Sequence, residues 1–114
     1  MVGTTGTVNL ILGNGDGTFG AATSSPVGAG AHSMNVGDFN GDGNADVVTM
    51  NTSTASVLLG YGDGTFRPRM DAAIPGNSTD TVVGDFNRDG MLDVATSNTM
   101  SLGTITVLRG RGDG

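Results

Sequence analysis

Cysteine, lysine, glutamate and tryptophan are all missing from this 114-residue sequence, and proline occurs three times. Without cysteine there is neither a disulfide framework nor a thiolate metal site, so the staple that a small core needs must come from elsewhere. The lack of Cys, Lys and Glu, with one histidine (His32) and no Ser/His/Asp arrangement, leaves no nucleophile paired with a base, and the chain reads as a non-enzyme. A net charge of -6 and a pI near 4.2 exclude a general nucleic-acid binder. No apolar run approaches a membrane span, so membrane insertion is not expected. The start, Met1-Val2-Gly3-Thr4-Thr5-Gly6, has neither the basic nor the apolar region of an export signal, and the chain as given reads as soluble.

What the sequence does contain is aspartate, glycine and short apolar clusters. All eleven acidic residues are Asp, and six of them lie in two nine-residue stretches, 38–46 (DFNGDGNAD) and 85–93 (DFNRDGMLD). Both read D-x-N-x-D-G-x-x-D. Oxygen side chains at positions 1, 3, 5 and 9, with Gly at 6 for a sharp turn, are what a hard cation such as Ca2+ needs from one loop. The copies differ only at positions 4, 7 and 8 (Gly41/Arg88, Asn44/Met91, Ala45/Leu92). Those side chains are not required as ligands, since position 7 can serve through its backbone carbonyl. An EF-hand is rejected, because Thr49 and Thr96 stand where its twelfth-position Glu would be. The competing reading is a pair of polar Asx turns, against which stands the mutual repulsion of three carboxylates crowded into one turn.

The sequence repeats. Residues 36–48 match 83–95 at nine of thirteen positions, and LILGNGDGTF (10–19) matches VLLGYGDGTF (57–66) in the same 47-residue register. VLRGRGDG, ending at Gly114, is a third partial copy displaced by 50, the three extra residues being placed in a lengthened turn within 99–104. One period reads as four strands: A at 33–39, B at 46–50, C at 55–60 and D from 65 to about 74. Strand C carries the run Val57-Leu58-Leu59, expected of a strand covered on both faces, and Asp-Gly in 61–64 supplies the hairpin between C and D. Four antiparallel strands in a period of 40–50 residues is the arithmetic of a propeller blade. The expected fold is all-β, with β-propeller-type blades: a partial blade over 1–31 (strands C and D), a full blade over 32–78 and a partial blade over 79–114 (strands A, B and C).

These motifs, VGDFNGDG-x-x-D followed in fixed order by LG-x-GDGTF, resemble those of the FG-GAP and VCBS repeat family, which builds the propeller heads of integrin alpha chains and many bacterial surface proteins. The resemblance covers nearly the whole chain. It implies two structural Ca2+ sites between the first two strands of each blade. One is formed by Asp38, Asn40, Asp42, the Asn44 carbonyl and Asp46; the other is formed by Asp85, Asn87, Asp89, the Met91 carbonyl and Asp93. It also implies an extracellular or cell-surface location.

The remaining motifs receive plainer readings. The GDG turns around Asp16, Asp63 and Asp113 read as hairpins and not ligands, each having one carboxylate. Arg111-Gly112-Asp113 shares their register, so its resemblance to an adhesion tripeptide is attributed to a structural turn. His32 reads as structural and the methionines and phenylalanines as core. Asn51-Thr52-Ser53 and Asn77-Ser78-Thr79 match the N-glycosylation pattern in expected loops. The functional expectation is a calcium-binding structural or adhesive module that self-associates head-to-tail, as a homo-oligomer or polymer, through unmatched blade strands. The alternatives are a glycan-binding propeller, for which one Tyr and four Phe offer few stacking platforms, or a fragment of a larger surface protein.

Overall fold

The computed structural model describes residues 5–99 and 103–114, and every element among them is a strand. Nine strands form three antiparallel sheets. The first pairs β1 (Thr5–Gly13) with β2 (Phe19–Ala29); the second runs β3 (Ser33–Gly37), β4 (Asp46–Met50), β5 (Thr54–Leu58) and β6 (Met70–Ala73) in order; the third is β7 (Ser78–Gly84), β8 (Asp93–Asn98) and β9 (Thr104–Leu108). The all-β, four-stranded blade expectation holds, and the three sheets carry strands C–D, A–B–C–D and A–B–C.

Strand B is found where the sequence places it, and the limits of the other three strands move. Strand A stops at Gly37, because Asp38 and Phe39 already belong to the loop. Strand C begins at Thr54 and ends at Leu58, with Gly60 making only an isolated bridge to Phe66. Strand D is interrupted: after that bridge the ladder resumes only at Met70. Pro68, which has no N–H to donate, lies in the gap. The lengthened turn expected within 99–104 falls mainly on residues 100–102, outside the described residues.

Two apolar clusters lie between the sheets. Val8 and Val27 of the first sheet meet Val47 and Leu58 of the second, with Phe66 beside them. On the other side Phe39, Val48, Met50, Ala55, Leu59 and Ile74 meet Val94, backed by Val83, Leu92 and Leu108. Adjacent residues of β4 therefore serve opposite interfaces, as period-2 alternation demands. All five residues of β4 are buried, which makes strand B, more than strand C, the fully enclosed strand. Met50 and Val27 are completely inaccessible to solvent.

The GDGT turns are built alike. Asp16 accepts hydrogen bonds from the Thr18 amide (2.9 Å) and hydroxyl (2.6 Å), and Asp63 does the same with Thr65 at 2.9 and 2.6 Å. The positive φ is taken by the flanking glycines, Gly62 (80°) and Gly64 (91°), not by the aspartate. The threonine hydroxyl, then the threonine amide, holds each carboxyl below the ordinary value of 3.8. A depressed folded value means that the turn's contribution is fully present above the ordinary carboxylate range. It is lost as pH falls through the lower folded value. Carbon-detected NMR titration of Asp63 is expected to give a midpoint below 3.8, moving back toward 3.8 in Thr65→Val; an unmoved midpoint would show that the hydroxyl is not the cause.

Candidate metal centre

Each D-x-N-x-D-G-x-x-D stretch forms the connection between strands A and B, β3–β4 in one blade and β7–β8 in the next. In the first loop Asp38 Oδ1 accepts from the amides of Gly41 (2.7 Å) and Asp42 (3.2 Å), and Oδ2 accepts from Gly43 (2.9 Å). Asn40 Oδ1 accepts from the Asp42 amide (3.1 Å) while its Nδ2 donates to Asp42 Oδ2 (2.9 Å), and Asp42 Oδ1 accepts from the Asn44 amide (2.8 Å). The second loop repeats this. Asp85 takes the amides of Asp89 (3.1 Å) and Gly90 (2.9 Å), Asn87 both donates to and accepts from Asp89, and Asp89 takes the Met91 amide (2.9 Å).

Tight chain reversal is bought with left-handed backbone. Gly41 (73°) and Gly43 (83°) take it in the first loop; in the second, Gly90 (86°) is joined by Arg88 at 62°, the sole non-glycine with positive φ among the described residues. Position 4 therefore carries a backbone demand that a ligand count does not reveal.

Position 9 departs most from the expected picture. Asp46 has no solvent exposure; its Oδ2 accepts from the Phe39 amide and its Oδ1 from the Gly60 amide, both at 2.8 Å. Asp93 accepts from Phe86 (3.0 Å) and Gly110 (2.8 Å). The ninth residue thus bridges the first residues of its own loop to the glycine that follows strand C. That glycine is required, since a Cβ on Gly60 would strike the Ala45 carbonyl and one on Gly110 the Leu92 carbonyl. Among the described residues no three His, Cys, Asp or Glu side chains are gathered into a metal-ready group.

The donor chemistry nonetheless fits a hard cation. Every side-chain donor the loops offer is a carboxylate or amide oxygen, and a carboxylate holding two N–H groups keeps about two of its four lone-pair sites free. Asp42 and Asp89 are held below the ordinary carboxylate range, first by the amide two residues on and then by the neighbouring Asn. Arg67 and Arg109 add to this from 3.8 Å, too far and too exposed to contribute much stability. They come from non-equivalent repeat positions yet reach the equivalent aspartate, the charge a loop would otherwise offer to a cation.

The profile described as FG-GAP-like repeat matches residues 1–49 and again 38–96. The chain belongs to the FG-GAP-like repeat family. Neither curated proteins nor solved structures give a significant match. FG-GAP repeats are β-propeller blades, so this chain is a β-propeller-type repeat module, and its three open sheets are blades or parts of blades.

Within this FG-GAP chain Asn51 and His32 make contacts that the sequence did not reveal. Asn51, which matches the glycosylation pattern in the loop after strand B, is 1% exposed, and its Nδ2 donates to Ser56 Oγ (2.7 Å) and Thr54 Oγ1 (3.1 Å). A glycan on that nitrogen would not fit this packing. Asn77 is exposed. His32 joins two blades, its Nδ1 at 2.9 Å from the Gly30 carbonyl and its Nε2 at 3.1 Å from Ser78 Oγ. Tyr61 carries Arg67 over its ring at 5.4 Å, so one face of the chain's single tyrosine is already stacked.

Proposed function

We propose that the chain is a calcium-stabilised, non-catalytic module that works outside the cell as a structural or adhesive element. The observation that carries this is the twice-built A–B loop, whose residues at positions 1, 3 and 5 are half-buried or exposed in the first loop and exposed in the second, while position 9 is tied to the turn after strand C. A cation taken by the outer donors and the spare lone pairs of Asp46 or Asp93 would brace three strands of a blade at once. Extracellular modules hold Ca2+ with dissociation constants of about 0.1–1 mM, so at millimolar calcium each site would add roughly 0.4–1.4 kcal/mol. That is a stabilising increment suited to a compartment where calcium is permanently abundant, and too small for a switch.

Thermal melting in chelator and in 1 mM Ca2+ tests it. With both sites filled the midpoint is expected to rise by on the order of 5–10 °C. Asp38→Asn combined with Asp85→Asn should remove most of the rise. Identical melting temperatures, together with no calcium retained on the protein by elemental analysis, would refute the reading.

A further inference from the structure

The chain displays, uncovered, the two halves of an interface that it already makes within itself. Between the first and second sheets, Leu58 (1% exposed) and the neighbouring Phe66 pack onto Val8 and Val27. The repeat register carries this contact to both outer faces. Leu58 and Phe66 correspond to Ile11 and Phe19, 47 positions earlier, which are 50% and 72% exposed. Val8 corresponds to Ala55 and, through the 50-residue step, to Ile105, which is 75% exposed; next to it Val107, the counterpart of Val57, is 50% exposed. Large apolar side chains so exposed at positions buried or half-buried elsewhere in the same repeat mark an interface and not a tolerated surface.

We propose that Ile11 and Phe19 on the outer face of the first sheet dock onto Ile105 and Val107 on the outer face of the third sheet of a second copy of the chain. The contact continues the internal stacking of blades in the same direction and with the same residue positions. β1 and β2 contain no ionisable residue, so covering them desolvates no charge. The two surfaces differ, which makes the association heterologous: rotation decides whether copies close into a ring or run on as a filament. Nothing in it depends on calcium, so it stands or falls separately from the metal reading.

Sedimentation equilibrium on the full chain, with and without chelator, provides the test. The wild type should gain mass as concentration rises into the high micromolar range. Ile11→Asp and Ile105→Asp, both at exposed positions and checked for retained β-structure by circular dichroism, should each be monomeric alone. Mixed in equal amounts they should form a dimer and nothing larger, since each brings the face the other lacks. A wild type that stays monomeric, an Ile11→Asp variant that still self-associates, or a mixture that remains monomeric would each overturn the proposal.

Discussion

Replacing Asp46 by Ala is expected to destabilise the chain by about 2–4 kcal/mol, in chelator as well as in calcium. The two amides it serves, Phe39 N and Gly60 N, each at 2.8 Å, have no water to turn to, because Asp46 is fully enclosed and Phe39 and Gly60 are themselves buried. A buried donor left without an acceptor costs about 1–3 kcal/mol, and here there are two. Asp46→Asn should cost nearly as much, since an amide has one oxygen and would turn its NH2 toward the other donor. Urea denaturation in chelator separates this bracing role from metal ligation. If Asp46 acted only as a ligand, wild type and variant would unfold at the same urea concentration once calcium was removed. Asp93→Ala should follow with a smaller loss, because Phe86 is 54% exposed and its amide can turn to solvent.

The ninth position also shows where the sequence was readable and where it was not. Internal repetition located the blades, their order and the loop residues, because a 47-residue register can be read from Asp, Gly and Phe alone. Strand B emerged with its observed limits because the loop pins its start at Asp46 and Asn51 its end. Strand D did not, since its pairing with strand C slips by one residue between the Gly60–Phe66 bridge and the Val57–Met70 pair, and composition does not show such a slip. Spacing identifies Asp46 as an oxygen donor but does not reveal that it also braces the Phe39 and Gly60 amides. The Arg88 side chain is not needed as a ligand, but a list of ligands is blind to the positive φ that position 4 must adopt. The Asn51 tripeptide cannot distinguish a buried amide from an exposed one, so the motif alone does not show its burial. A signal for that burial was nonetheless present: Asn98 stands 47 residues later, as the last residue of the next strand B.

That pair supplies a second large effect, and a contrast. Asn51 is the hub of a buried chain of hydrogen bonds. Thr49 Oγ1 donates to its Oδ1 (3.3 Å), and its Nδ2 reaches Thr54 and Ser56. Ser56 in turn donates to Asp71 Oδ1 (2.6 Å) and accepts the amide of Gly28 from the first sheet (3.2 Å). Asn98 keeps only half of this. Its Nδ2 donates to Thr106 (2.9 Å) and Thr104 (3.3 Å), but its Oδ1 is buried without a partner among the described residues. The reasons lie in its neighbours: Thr96, the counterpart of Thr49, donates instead to the Asp80 carbonyl (2.9 Å), and Pro75, the counterpart of Gly28, has no amide to give. Asn51→Ala is therefore expected to cost about 2–4 kcal/mol by stranding several buried polar groups and loosening the first sheet from the second. Asn98→Ala should cost less than about 1.5 kcal/mol, because deleting the orphaned oxygen offsets part of the loss. Urea midpoints of the two variants against the wild type decide it, and equal costs would show that Asn51 acts alone and not through the network that ties two blades together.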